Sequence, residues 1–214
     1  PFYYPVEPIA DRKSLFDVIR QALLVDGNLV AYGDGPVGPD DEFRYALSPA
    51  GVDSILNPTV DLDVFDLQSG LKTGTRPQKV AIDSRSVRKY RIKEDWIWDR
   101  QRGERYVRII GIAPIVPVKD EDGEAKGDKI LFWLYYPECR YVFASAEAYN
   151  PMNDSQRRTF EEIFQKRFFN SFIVKESNVY DRSIASYALG LDALAESQRI
   201  KHDLFLLEHD LWHY

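Results

Sequence analysis

The sequence predicts an α+β fold, with a central antiparallel β-meander, flanking helices and a long C-terminal helix or helix pair. Three observations predict it. From Val87 the residues alternate, with Arg88, Tyr90, Ile92, Trp96 and Trp98 on one side and Lys89, Arg91, Lys93 and Asp95 on the other, the period of a half-buried strand. Tyr106 to Val118 and Ile130 to Tyr136 are apolar on both alternations, as strands at the centre of a sheet are. Both ends of the chain carry apolar residues at three and four spacing instead, the helical period.

Taken in order, Pro1, Pro5 and Pro8 fix φ and bias their predecessors away from helix, giving an extended arm over residues 1–10. Asp11 stands as a cap before Leu15, Phe16, Ile19, Ala22 and Leu23, one helical face, and Gly27 as its stop. Asn28 to Tyr32 suits a short strand and Gly33 to Asp41 a loop, after which Ser48 caps a short helix opened by Pro49 and ending at Leu56. The meander occupies residues 87–144: the Val87 strand, the Tyr106 to Val118 strand, a charged loop from Lys119 to Asp128, the Ile130 strand, and a fourth strand from Arg140 to Ala144 after a turn at Pro137-Glu138. The C-terminal helical region spans residues 154–214. Thr159 and Glu162 have capping-box spacing ahead of Ile163, Phe164 and Phe168. A turn at Asn178 to Asp181 precedes Ile184, Tyr187, Leu191 and Leu194, and the pattern resumes at Ile200, Leu204, Leu207 and Leu211. The slip between Leu194 and Ile200 predicts a kink or a break there. No internal repeat or linker interrupts the chain, so residues 1–214 are expected to form one domain.

Net charge is −6 at pH 7, which disfavours nucleic acid or an anionic membrane surface as the main partner. The one basic strip, Arg85 to Arg108, has nine cations against four anions and interleaved rings, a pattern that single-strand platforms share. Its aromatics lie on the alternation opposite most of the charge, as in any strand that buries one face. A single cysteine, Cys139, excludes a disulfide within the chain and fits a small buried hydrophobe. No apolar run approaches the ~20 residues of a spanning helix.

No glycine-rich phosphate loop, nucleophile elbow or Cys-x-x-Cys is present. His202, His209 and His213 project from one helical face, and His209 with His213 has the i, i+4 spacing of a metal clamp. Zinc takes three or four ligands and no Glu-x-x-His accompanies the pair, so the expectation is no metal, no cofactor and no catalytic residue. A metal-dependent hydrolase using His209, His213 and a carboxylate from elsewhere is the alternative. The aromatics at 14% favour protein contact surfaces, and Phe205 and Trp212, seven apart, draw a second apolar line on the last helix.

Several blocks resemble the GldN family, also called PorN: Tyr3-Tyr4-Pro5-Val6-Glu7-Pro8 with Asp11-Arg12, Ile92 to Trp96, Tyr106 to Pro114, Leu131-Phe132-Trp133, Lys175 to Arg182, Asp192-Ala193-Leu194 and Glu208 to Trp212. They run from end to end, with residues 33–84 contributing little. The resemblance implies a structural component of the type IX secretion and gliding-motility machinery of Bacteroidetes, periplasmic and peripheral to the outer membrane. Its implied partners are the GldK/PorK lipoprotein, in a ring, and the periplasmic part of the GldM/PorM motor arm. Homo-oligomers are expected in the ring. The chain opens on Pro1, so an exported protein's leader and further residues are expected to precede it, and this fragment is expected to be monomeric or dimeric. Phe2, Tyr3, Tyr4, Trp96, Trp98, Phe205 and Trp212 are the candidate contact residues, because exposed aromatics anchor interfaces.

Overall fold

The first helix starts where a hydroxyl can close its open end. Ser14 is extended, and its Oγ accepts from the Asp17 N–H at 3.2 Å, so α1 (Leu15–Leu24) is capped by Ser14. Asp11, the predicted cap, lies outside the residues described by the computed structural model, which are 2, 5, 12–36, 40–65, 72–119, 125–150 and 156–211. The predicted inner face of α1 is buried, and Gly27, at φ +63°, turns the chain away beyond its end. A short strand β1 (Ala31–Tyr32) leads to α2 (Pro49–Leu56), where the Ser48 Oγ accepts from Gly51 and Pro49 fills the first turn.

Next come β2 (Thr59–Phe65) and β3 (Lys72–Lys79), an antiparallel two-stranded ribbon that the sequence reading does not anticipate. The large sheet follows with β4 (Lys89–Asp99), β5 (Glu104–Lys119), β6 (Ala125–Ile130) and β7 (Trp133–Tyr135). The remaining elements are α3 (Tyr136–Ser145), β8 (Glu147–Ala148) paired with β9 (Arg158–Thr159), α4 (Phe160–Gln165) and α5 (Leu191–Asp210). The chain is α+β, as expected. It falls into two compact units, one of residues 1–93 and 109–167, the other of residues 94–108 and 168–214.

In the first unit residues 109–119 of β5 are central. Residues 89–93 of β4 end that sheet on one side, and β6 and β7 share the other edge of β5, with β1 outside β7. Ile112 pairs with Leu134 and Ile115 with Ile130, so three steps on β5 meet four on its neighbour. The extra residue bulges at Leu131-Phe132, both buried, and the Leu131 N–H still donates to the Pro114 carbonyl at 3.0 Å. The expected fourth strand, Arg140 to Ala144, is instead part of α3. Pro137, taken as a turn residue, occupies the first turn of that helix, where its missing N–H costs nothing. Tyr136, Cys139 and Phe143, three and four apart, are its buried face.

The first core is aromatic. The rings of Phe143 and Phe164 stack at 5.7 Å, Tyr136 meets Phe164 edge-on at 5.5 Å, and Phe2 stacks on Phe164 at 4.8 Å. Glu161 is buried beneath them and fully occupied: Oε2 accepts from the Tyr136 hydroxyl at 2.7 Å, while Oε1 accepts from Arg140 at 2.7 Å and Gln165 at 2.8 Å. This carboxylate ties α3 to α4. The predicted box opens α4, with the Thr159 Oγ1 accepting from the Glu162 N–H. The helix ends sooner than the pattern suggests, because Arg167 adopts φ +53° and Phe168 falls outside it.

In the second unit α5 runs unbroken for 20 residues. The predicted division at Ala195 to Gln198 is absent. The break comes earlier, at Gly190 with φ +58°, after a single 3-10 turn at Ile184–Ser186. The apolar slip arises because Leu191 and Leu194 do not share the buried face. That face carries Ser197 and Ile200, the latter only 2% exposed, flanked by half-buried Ala193, Leu204 and Leu211. Among the described residues no helix is long and apolar enough to cross a membrane.

Candidate protein-interaction surface

The segment from Phe168 to Ser183 has no helix or strand, yet it is pinned at defined points. The Ile173 N–H donates to the buried Ser197 Oγ of α5 at 2.9 Å, and the Ile184 N–H to the Val174 carbonyl at 2.9 Å. Between these anchors Asn178 organises a tight loop. Its Oδ1 accepts from the Tyr180 and Arg182 N–H groups at 3.2 and 2.9 Å, and its Nδ2 donates to the Glu176 and Arg182 carbonyls at 2.9 and 2.8 Å. Four bonds from one side chain substitute for secondary structure. They also stabilise Asp181 at φ +51°, a conformation that aspartate tolerates better than most residues.

The loop displays apolar surface. Val179 is 97% exposed and Tyr180 75%. The Arg182 guanidinium lies over the Tyr180 ring at 4.7 Å and 5.8 Å from the Tyr187 ring, which fixes the aromatic without covering it. A Lys175 to Asp181 ion pair at 2.6 Å closes the base.

The outer face of α5 adds to this display. Leu191 is 83% exposed and Phe205 58%, with Leu194 also exposed, all opposite Ile200 at ~100° per residue. An ion-pair chain runs beside them: Arg199 holds Glu196 through two nitrogens, at 2.9 and 2.7 Å, and Asp203 at 2.6 Å. The Arg199 hydrogen bonds hold the Glu196 carboxyl below its ordinary range.

The residues nominated from sequence are not gathered in one place. Phe2 belongs to the first unit, half-buried against Phe164 with its carbonyl accepting from the Leu15 N–H at 3.1 Å. Trp96 and Trp98 are half-buried in the second unit, 6.2 Å apart. The Arg105 guanidinium covers Trp96 at 5.1 Å and pairs with Glu208 of α5 at 2.6 Å, while the Trp96 Nε1 donates to Glu94. Phe205 is exposed; Tyr3, Tyr4 and Trp212 lie outside the described residues. Val179, Tyr180, Leu191 and Leu194 were not nominated. An apolar pair inside the polar turn Asn178 to Asp181 was the available signal for the first two.

Asp17 and Glu161 are buried, but Asp17 already accepts from Ser14, Ser84 and Arg20, and Glu161 is occupied as above. Burial pushes the Cys139 thiol up to about 12, far from a reactive thiolate. An open depression of about 360 Å³ between α1 and α3 is walled by Lys13, Gln21, Val142 and Ser145, with Lys13 bonded to Gln21. Among the described residues no three His, Cys, Asp or Glu side chains are grouped to hold a metal ion. His202 stacks on Phe205 at 6.3 Å, and His213 lies outside the described residues.

The family model for the gliding motility associated protein GldN matches residues 1–213, and no curated protein is matched. The chain belongs to the GldN family, components of the gliding-motility and type IX secretion machinery.

Proposed function

We propose that this chain is a non-catalytic structural subunit of that machinery. It works in the periplasm against the outer membrane, joins a ring with a GldK/PorK-like lipoprotein and contacts a GldM/PorM-like motor arm. The observation that carries this reading is the Asn178 loop, which spends four hydrogen bonds to hold Val179 and Tyr180 in solvent. Large apolar side chains displayed on a fixed scaffold cost solubility and are retained where a partner covers them. Rigidity lowers the entropy lost on docking. The exposed line of Leu191, Leu194 and Phe205 extends the same unit's apolar display. Trp96 and Trp98 lie half-buried beside Arg105, which pairs with Glu208, and Phe2 packs on Phe164. The test is capture of the full chain by the immobilised lipoprotein: a Val179→Asp/Tyr180→Asp variant that is folded by circular dichroism is expected to lose binding.

A further inference from the structure

Phe43 holds a backbone conformation that its own chemistry disfavours. It sits at φ +59°, where a bulky residue is an outlier that only its surroundings can sustain. A phenylalanine has no polar atom with which to brace such a turn, so the support comes from what its ring touches. Tyr32 and Trp133 meet that ring edge-on at 5.7 and 6.1 Å, and Tyr135 meets it at 5.6 Å. Gly111 lies beneath, and a Cβ there would run into the ring. Three aromatic walls and a floor without a side chain make a cradle shaped to an aromatic ring, all of it within the first unit.

The segment that delivers the ring is pinned on either side of it. Asp40, only 4% exposed, accepts from the Arg44 N–H at 3.1 Å. Ala46 bridges to Tyr32, and the Leu47 N–H donates to the Ala31 carbonyl at 2.8 Å. Lys93 holds the approach to the cradle. Its Nζ lies 5.8 Å from the Phe43 ring centroid, donates to the Asp41 carbonyl at 2.7 Å and stands 3.4 Å from the Asp41 Oδ1. Phe43 is nevertheless half-buried and Tyr135 exposed, so the cradle opens to solvent and the ring has a way out.

We infer that Phe43 is a resident plug in a recognition site for an aromatic side chain of a partner protein, presented two residues after a carboxylate as Asp-x-Phe or Asp-x-Tyr. The occupant's chemistry is read from Asp41-Glu42-Phe43, the segment that fills the site now: a ring in the cradle, with its face and an acidic residue at Lys93. A partner segment that offers the same groups on an unstrained backbone takes the plug's place and releases its unfavourable φ, which is the difference between the two states that drives the exchange. Without the partner the plug keeps the aromatic walls covered, and it lowers the apparent affinity by the fraction of molecules in which it is seated. The site shares no residue with the Asn178 loop, so it is tested apart from the lipoprotein reading.

The probe is an acetylated, amidated tetrapeptide copying Asp41-Glu42-Phe43-Arg44, with alanine in place of its phenylalanine as the control. Each is titrated into the full chain while NMR follows the Gly111 amide and the Trp133 indole. Phe43→Ala, which empties the cradle, is expected to bind the probe at least about tenfold tighter than wild type and to ignore the control. Wild type is expected to bind the probe weakly, with hydrogen exchange at the Phe43 to Tyr45 amides accelerating as the plug leaves. Lys93→Met is expected to weaken probe binding about fivefold. Equal affinity of wild type and Phe43→Ala, equal binding of probe and control, a probe that fails to bind wild type, or probe binding that leaves exchange at Phe43 unchanged would each overturn the inference. So would wild-type self-association that Phe43→Ala abolishes, since a second copy's Phe43 would then be the occupant. The wild-type titration and its exchange readout decide the point even where Phe43→Ala does not fold.

Discussion

The Asn178 side chain grips both backbone groups of Arg182, accepting from its N–H at 2.9 Å and donating to its carbonyl at 2.8 Å. One amide therefore sets the path of the loop that carries Val179 and Tyr180. Asn178→Ala is expected to lower local stability by about 1–2 kcal/mol, while global unfolding moves little. Hydrogen exchange at the Tyr180 and Arg182 amides checks it, with about a tenfold acceleration expected.

Gly111 is required by an aromatic ring. A Cβ at this position would sit inside van der Waals contact of the Phe43 ring, which is boxed in by Tyr32, Trp133 and Tyr135 at 5.6 to 6.1 Å. Gly111→Ala is expected to destabilise the protein by about 1–3 kcal/mol through overpacking. Combining it with Phe43→Ala should recover part of that loss. Denaturant midpoints of the two variants decide the point.

The buried pair of Glu161 and Tyr136 links α3 to α4. Glu161→Ala strands a buried hydroxyl and removes the Arg140 contact, so a loss of about 1–3 kcal/mol is expected. Glu161→Gln, which keeps an acceptor, is expected to cost less. Thermal unfolding of the two variants compares them.

Alkaline pH should unfold the chain from within. Burial raises Cys139 to about 12 and raises Tyr136 and Tyr90 above the ordinary tyrosine range. For Tyr136 the hydrogen bond to Glu161 adds to the effect, and for Tyr90 the Asp17 charge does. These groups stay neutral when folded and ionise when unfolded. Their stabilisation is complete below the unfolded values, about 8.5 for cysteine and about 10 for tyrosine, and is lost as pH rises through the folded ones. The unfolding midpoint is expected to fall above about pH 9, and Cys139 to resist thiol reagents at pH 8 until the chain unfolds.

The legible parts of the fold were those set locally. Ser48-Pro49 and Thr159 to Glu162 mark helix starts because capping is a short-range exchange of one hydroxyl for one N–H. The central strand is plain in Tyr106 to Val118, where both faces are covered. Arg140 to Ala144 misled because Pro137 suits a turn as well as a first helical turn, and only packing against Phe164 selects the helix. The α5 helix misled for the opposite reason. Its buried face includes Ser197, held by the Ile173 N–H from 24 residues away, and that pairing leaves no mark in the helix's own periodicity. Phe205 stood out as an aromatic off the main stripe. Val179 and Tyr180 did not, since their display depends on bonds from Asn178 whose geometry spacing does not disclose.

The proposed docking of the lipoprotein on the Asn178 loop has a decisive test. The most direct measurement is the Kd of the full chain for that lipoprotein, wild type against Val179→Asp/Tyr180→Asp, with folding confirmed by thermal unfolding. A weakening of at least about 30-fold, roughly 2 kcal/mol, is predicted; an unchanged Kd from a folded variant would contradict it.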